Sequence, residues 1–175
     1  EKEIPILNPI SSDLNVVRRS IFSNLAIHLK KNQDRGYEDL SFFEIGPTFF
    51  GKNPGEQQIV VGGLKSGKVN RKSWLDKERN IDVFDIKSDT IKTLIELGIE
   101  EKNLFVADNS KHSYHPGRSG SVTLKSEKGP HLAYFGEIHP AIIKNLDLKD
   151  NNIFGFEIFL KNIPEPDKKI RQTKK

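Results

Sequence analysis

The chain has 175 residues and a net charge of +4 at pH 7; 30% of its residues are charged and 35% are apolar. This length suits one domain with a buried core, and the absence of cysteine excludes disulfides, cysteine–zinc sites and thiol catalysis. Because no apolar run approaches the roughly 18 residues that a membrane helix needs, and no signal peptide opens the chain, we expect a cytoplasmic protein without membrane contact.

The first part of the chain predicts one helix followed by strands. Ser and Asp residues at 11–13 suit an N-cap, lysines cluster further on, and Gly36 follows as a stop. Apolar residues recur there at three- and four-residue steps, which predicts an amphipathic helix: Leu14, Val17, Ile21, Leu25 and Leu29. LSFFEIGPTFF (40–50) predicts a strand, a turn and a second strand, and IVVGGL (59–64) predicts a short strand ending in glycines.

The second part predicts more strands and two further helices. IDVFDI (81–86) predicts a strand that runs into a helix ending at Gly98, and LFVA (104–107) predicts another strand. Residues 121–139 predict two strands around a Lys-Gly-Pro turn, Pro140 starts a short third helix, and 153–163 predict a long strand with one buried face. Strict βαβ alternation is absent, so the pattern predicts an α+β fold, an antiparallel sheet flanked by helices.

The stretch HSYHPGRSGS (112–121) allows three interpretations. His112 and His115 with His139 could hold zinc, but His115 precedes Pro116 and no HExxH helix completes the ligand set. Glu137 and His139, two apart on a predicted strand, could act as an acid–base pair, although no nucleophile lies near. The third interpretation is favoured: Pro116-Gly117 makes a turn, and Arg118 hydrogen-bonds loop carbonyls or a carboxylate such as Glu137.

Basic residues gather in two segments. Residues 65–79 carry six basic and two acidic side chains, and could contact RNA phosphates, although a solvated loop is the more usual explanation. The candidate RNA contacts are Lys65, Lys68, Arg71, Lys72 and Trp74. Residues 165–175 form a basic tail, and the lack of methionine together with a start at Glu1 suggests a piece of a longer protein.

Seven segments in chain order resemble one family, the β subunit of bacterial-type phenylalanyl-tRNA synthetase, in its catalytic-like domain of the class II synthetase fold. They are LNPISSDLNVVRRSIFSNL (7–25), FFEIG (42–46), Trp74, DVFDIK (82–87), HPGRSG (115–120), GEIHP (136–140) and FGFEIFL (154–160). The resemblance implies a core domain at 1–164 and a basic linker at 165–175 toward a C-terminal anticodon-binding domain. It marks these positions as structural signature residues: Glu44, His115, Pro116, Gly117, Arg118, Glu137 and His139.

The resemblance also implies that this copy of the fold has lost catalysis. Class II chemistry uses two arginines to stabilise ATP phosphate charge. If Glu44 takes the place of the family's motif 2 glutamate, the arginine position two residues earlier holds Phe42. No arginine occurs between Arg35 and Arg71, and after Arg118 the only one is Arg171 in the tail.

We therefore expect no catalytic, cofactor or metal residue in this chain. The implied role is assembly with a catalytic α subunit in an (αβ)2 heterotetramer that uses ATP, Mg2+ and tRNA(Phe). The apolar side of the first helix and PTFF (47–50) are candidate contacts with that subunit. An RNA-contacting module that uses residues 65–79 and the tail is the alternative function.

Overall fold

A computed structural model describes residues 4–11, 15–69, 78–109, 111–149 and 152–165. Its main element is a six-stranded sheet in the order β3-β4-β8-β7-β6-β5, with every neighbouring pair antiparallel. The strands are β3 Leu40–Phe49, β4 Gln57–Ser66, β5 Leu104–Ala107, β6 Tyr114–Leu124, β7 His131–Ile138 and β8 Ile153–Phe159. A separate pair joins β1 Ile4–Pro5 to β2 Val16–Val17. The helices are α1 Phe22–Asp34, α2 Val83–Glu96 and α3 Pro140–Asn145. The α+β prediction is confirmed.

Helices cover both faces of the sheet and divide the core in two. On one face, here called the helix-1 face, α1 and α3 pack against the sheet through Leu25, Leu29 and Ile143. On the other, the helix-2 face, α2 packs on β7 and β8 through Ile86 and Leu94. Burial of these apolar side chains supplies the main stabilisation. Among the described residues, no helix is long and apolar enough to cross a membrane.

The first helix begins later than predicted. Val16 and Val17 lie in β2, opposite Pro5 and Ile4, and α1 starts only at Phe22. Two adjacent β-branched residues favour a strand, and the Ser20 hydroxyl then accepts a hydrogen bond from the Phe22 amide at 3.2 Å. The periodic residues Ile21, Leu25 and Leu29 are buried as predicted, while Leu14 lies outside the described residues.

The predicted turn at Gly46-Pro47 is wrong, because β3 continues through both residues. Proline is tolerated here since β3 lies at the sheet edge, where the missing N–H removes no bond of the ladder. The segment before α1 follows this edge: the Phe49 amide donates to the Arg18 carbonyl at 3.0 Å, and Arg18 Nε donates to the Pro47 carbonyl at 2.8 Å.

Two other strands differ from prediction because of their place in the sheet. β4 runs past its glycines to Ser66, and a Cβ on Gly62 would meet Ile21 Cγ2 at 2.1 Å, so glycine lets α1 approach the sheet. β8 is buried on both faces rather than one, because it lies between β4 and β7 with a helix on either side. A residue that alternation assigned to solvent, Glu157, is therefore only 4% exposed.

The predicted strand at 81–86 is instead the start of α2. Asp82 is the N-cap and accepts hydrogen bonds from the amides of Phe84 at 2.8 Å and Asp85 at 3.1 Å. Asp85 accepts in return from the Asp82 amide at 2.9 Å, which completes a capping box. The helix ends as predicted before Gly98, whose φ is +96°.

We expect the Asp85→Asn variant to lose stability at neutral pH and to match wild type in strong acid. A hydrogen bond from Arg79 lowers the pKa of Asp85, which is 18% exposed, so its carboxylate stabilises the fold above the unfolded pKa. That contribution disappears as pH falls through the folded pKa. Urea denaturation should give a loss of about 1 to 2 kcal/mol at pH 7 that vanishes toward pH 2. Asp108→Asn, in an exposed segment, is the control; an effect of Asp85→Asn that does not change with pH would contradict this.

Candidate functional site

The HSYHPGRSGS stretch forms an irregular part of β6 rather than a turn. Tyr114 lies opposite Ile138 and Ser119 opposite Gly136, so β6 advances five residues while β7 advances two. The extra residues 115–118 bulge from the ladder. The predicted turn at Pro116-Gly117 is therefore wrong; the bulge is held instead by the Gly117 amide, which donates to His115 Nδ1 at 3.0 Å, and by Ser119 Oγ, which donates to the His115 carbonyl.

Arg118 makes the predicted contact with Glu137. Arg118 Nη2 donates to Glu137 Oε1 at 2.7 Å and Nε donates to Oε2, a two-point charged contact. The Glu137 side chain is 5% exposed and that of Arg118 is 53% exposed. The hydrogen bond from Arg118 to Glu137 raises the pKa of the guanidinium. Arg118 therefore neutralises a buried carboxylate and ties the bulge to β7.

His115 and His139 act as local hydrogen-bond acceptors. His139 is the N-cap of α3, where its Nδ1 accepts from the Ala141 amide at 3.1 Å, and β7 ends one residue earlier. Glu137 and His139 therefore do not share a strand face, which corrects the basis of the acid–base pair. Within the described ranges, no group of three His, Asp or Glu side chains could hold a metal ion. His115 and His139 shape corners of the fold.

A row of side chains crosses the helix-1 face from strand to strand. Directly paired residues share a face in an antiparallel sheet. The register places the members of the row in this order from β3 to β6: Glu44, Gly62, Glu157, Tyr134 and Ser121. No local sequence pattern indicates this arrangement, because its members come from five strands.

Both carboxylates of the row are neutralised by cations of the same chain. Arg18 Nη1 donates to Glu44 Oε1, with the two side chains 18% and 30% exposed. Lys111 Nζ lies 3.4 Å from Glu157 Oε2. The Ser20 hydroxyl donates a hydrogen bond to Glu157 Oε1 at 3.2 Å. Both of these cations are therefore already engaged with carboxylates of the row.

Phe42, at the position where the family's arginine was expected, also lies on the helix-1 face. It pairs with Leu64 and packs against the core of that face. Its strand, β3, lies at the edge of the sheet. An apolar ring at this position adds packing and no charge for phosphate binding.

Both lysines in the described part of the basic segment 65–79 form ion pairs with carboxylates of this chain. Lys65 Nζ forms an ion pair with Asp89 of α2, and Lys68 Nζ lies 2.8 Å from Glu78 Oε2. Arg71, Lys72 and Trp74 lie outside the described residues, as does the tail after Glu165. The two lysines that can be placed therefore do not favour RNA contact over intramolecular pairing.

Apolar side chains are uncovered on the helix-2 face at the edge of the sheet. Phe43, Ile45 and Ile59 are 76%, 59% and 43% exposed, and we call these three residues the edge patch. The register brings them together: Ile45 pairs with Val61, and Pro47 pairs with Ile59 on the same face. By contrast, the apolar side of α1, expected at a partner interface, is buried in this chain's own core.

Comparison with known proteins gives one consistent result. Residues 1–160 match the family described as phenylalanyl tRNA synthetase beta chain CLM domain. The phenylalanine--tRNA ligase beta subunits of Paramagnetospirillum magneticum and Rhodospirillum rubrum are 41% and 40% identical over 98% and 97% of this chain. The chain spans about a fifth of their length, since it covers 21% of each.

A solved structure confirms the fold class. The pyrrolysyl tRNA synthetase PylSc of Desulfitobacterium hafniense superposes with a TM-score of 0.59 at 13% sequence identity, over 92% of this chain and 51% of that one. Because the identity is so low, this likeness concerns the fold alone. It agrees with a class II synthetase-like sheet flanked by helices.

Proposed function

The chain belongs to the phenylalanyl-tRNA synthetase beta chain family, and from this membership we propose that it is a non-catalytic core domain of a phenylalanine–tRNA ligase β subunit. Residues 1–164 are the core, and 165–175 link it toward a C-terminal anticodon-binding domain. The domain supports assembly with the catalytic α subunit in a cytoplasmic (αβ)2 heterotetramer. That holoenzyme attaches phenylalanine to tRNA(Phe), with ATP and Mg2+ bound through the α subunit.

The row on the helix-1 face supports the absence of catalysis. Stabilising phosphate charge in the transition state requires preorganised cations aimed at the phosphate oxygens. Here Arg18 and Lys111 are committed to Glu44 and Glu157, and Phe42 offers no charge. Binding a triphosphate would require breaking these pairs and would place it beside carboxylates.

The edge patch is the observation that carries the assembly role. Contiguous exposed apolar side chains mark interaction surfaces in otherwise well-packed proteins. Phe43 and Ile45 lie on the edge strand β3. The helix α2 does not cover this part of the helix-2 face, because it packs mainly on β7 and β8. A partner that covers this patch removes apolar area from water and extends the core beyond the sheet edge. The family membership supports the α subunit as that partner.

We expect the protein alone to give no phenylalanine-dependent exchange of pyrophosphate into ATP. The measurement is isotope exchange with the protein alone, with the cognate α subunit alone and with both together. Activity should require the α subunit in every case. Exchange by the protein alone, lost in the Glu44→Gln variant, would contradict the proposal, because it would place activation chemistry on the row.

A further inference from the structure

The Glu157 carboxylate is buried at the centre of the sheet. The side chains beside it form the kind of environment that binds an ammonium group. Glu157 is 4% exposed on β8, on the helix-1 face. A buried carboxylate is costly unless it is paired with a charge and hydrogen-bonded. Among the described residues its oxygens contact the Ser20 hydroxyl at 3.2 Å and the Lys111 ammonium at 3.4 Å. The ammonium supplies the positive charge.

Two aromatic rings form the walls around that ammonium. Lys111 Nζ lies 4.9 Å from the centroid of the Tyr134 ring and 4.5 Å from that of Phe159. The two rings meet edge-to-face at 78°, with centroids 5.8 Å apart, so they form a corner. Cations bind over aromatic faces within about 6 Å of the ring centroid, and a carboxylate beside the rings adds a charge-assisted contact to an ammonium group.

Lys111 enters this corner from outside the sheet. It lies between β5 and β6, and its side chain remains 42% exposed. Solvent therefore reaches the corner along the lysine side chain. Beside the corner, Ser121 lies opposite Tyr134, and its buried hydroxyl has no hydrogen-bond partner among the described residues. An unused hydroxyl next to a charged corner offers one more polar contact to a ligand.

We infer that Glu157, Tyr134 and Phe159 form a binding site for a primary ammonium group, which this chain fills with its own Lys111. The site accepts small molecules that carry an ammonium on a short apolar stem, since that is the group Lys111 places there. Wild-type protein excludes them because Lys111 is tethered and occupies the corner. Removing the lysine side chain opens the site. This inference does not depend on the proposed assembly role.

The test is chemical rescue of Lys111→Ala by n-propylammonium chloride, followed by thermal unfolding. The variant should melt below wild type, because Glu157 loses its counter-charge. Propylammonium at ten times its dissociation constant should then raise the melting temperature of the variant by about 4 °C. If the variant is unfolded in buffer, propylammonium should restore the folded fraction.

Three controls separate specific rescue from a salt or solvent effect. Sodium chloride at equal ionic strength and neutral 1-propanol should not rescue Lys111→Ala. Lys111→Met, which keeps an apolar stem in the corner, should not respond to propylammonium, and neither should wild type. Equal rescue of the Lys111→Ala/Glu157→Gln double variant, equal stabilisation of wild type, or no rescue of Lys111→Ala would overturn the inference.

Discussion

The Arg118→Ala variant is expected to lose clearly more stability toward urea than Lys68→Ala, because it leaves one member of a charge pair buried and unpaired. Its guanidinium is the only partner of the Glu137 carboxylate among the described contacts, and that carboxylate is 5% exposed. Removing the guanidinium leaves an unpaired charge beside Phe154 in the core. The full penalty for a deeply buried pair is reduced because Arg118 is 53% exposed and water can enter. Urea denaturation at pH 7 measures the loss.

A double variant distinguishes an unpaired charge from lost packing. Arg118→Met with Glu137→Leu removes both charges, so its stability should return to within about 1 kcal/mol of wild type. Lys68→Ala, which breaks an ion pair with both partners exposed, should change stability much less than Arg118→Ala does. Full stability of Arg118→Ala together with loss of ligand or partner binding would mean that Arg118 is a recognition residue and not a structural clamp.

The Phe43→Asp and Ile45→Asp variants are expected to weaken association with the α subunit at least about 100-fold. A carboxylate in the edge patch must lose its water when the partner covers it, which costs about 3 kcal/mol or more. Both side chains are mostly exposed in the chain, at 76% and 59%, so the variants should keep the wild-type melting temperature. Titration by isothermal calorimetry measures the affinity.

Phe105→Asp is the matched control for these variants. Phe105 is an exposed aromatic residue, 45% exposed, but it lies on β5 at the opposite edge of the sheet. The Phe105→Asp variant should bind the α subunit as tightly as wild type does. Equal weakening by Phe105→Asp would indicate a non-specific effect of charge, and unchanged binding by Phe43→Asp would remove the edge patch from the interface.

Elements whose pattern is local could be predicted from the sequence. Pro140 at the first turn of α3, the hairpin of β6 and β7 around residues 125–130, and the short strand β5 follow from turn chemistry and apolar runs. The antiparallel α+β arrangement follows from the hairpin-length links between these elements. The Arg118–Glu137 contact could also be anticipated, since both residues flank the same hairpin.

Other features depend on tertiary position and could not be predicted. Alternation along β8 indicated one buried face, but a central strand between two helical layers is buried on both, which brings Glu157 inside. Its partner Lys111 is 46 residues away along the chain. The run at 81–86 is short and four of its six residues are apolar, so strand and helix fit it equally well. The capping residues Asp82 and Asp85 are the signal that could have indicated the helix.

The proposed role of this domain in assembly can be tested by light scattering after gel filtration. The protein is mixed with the cognate phenylalanyl-tRNA synthetase α subunit, and the molar mass of the eluting species is measured. We expect co-elution at a defined ratio, which should be lost with Phe43→Asp and kept with Phe105→Asp. Separate elution of the two proteins at concentrations well above micromolar would contradict the claim that this domain carries the contact.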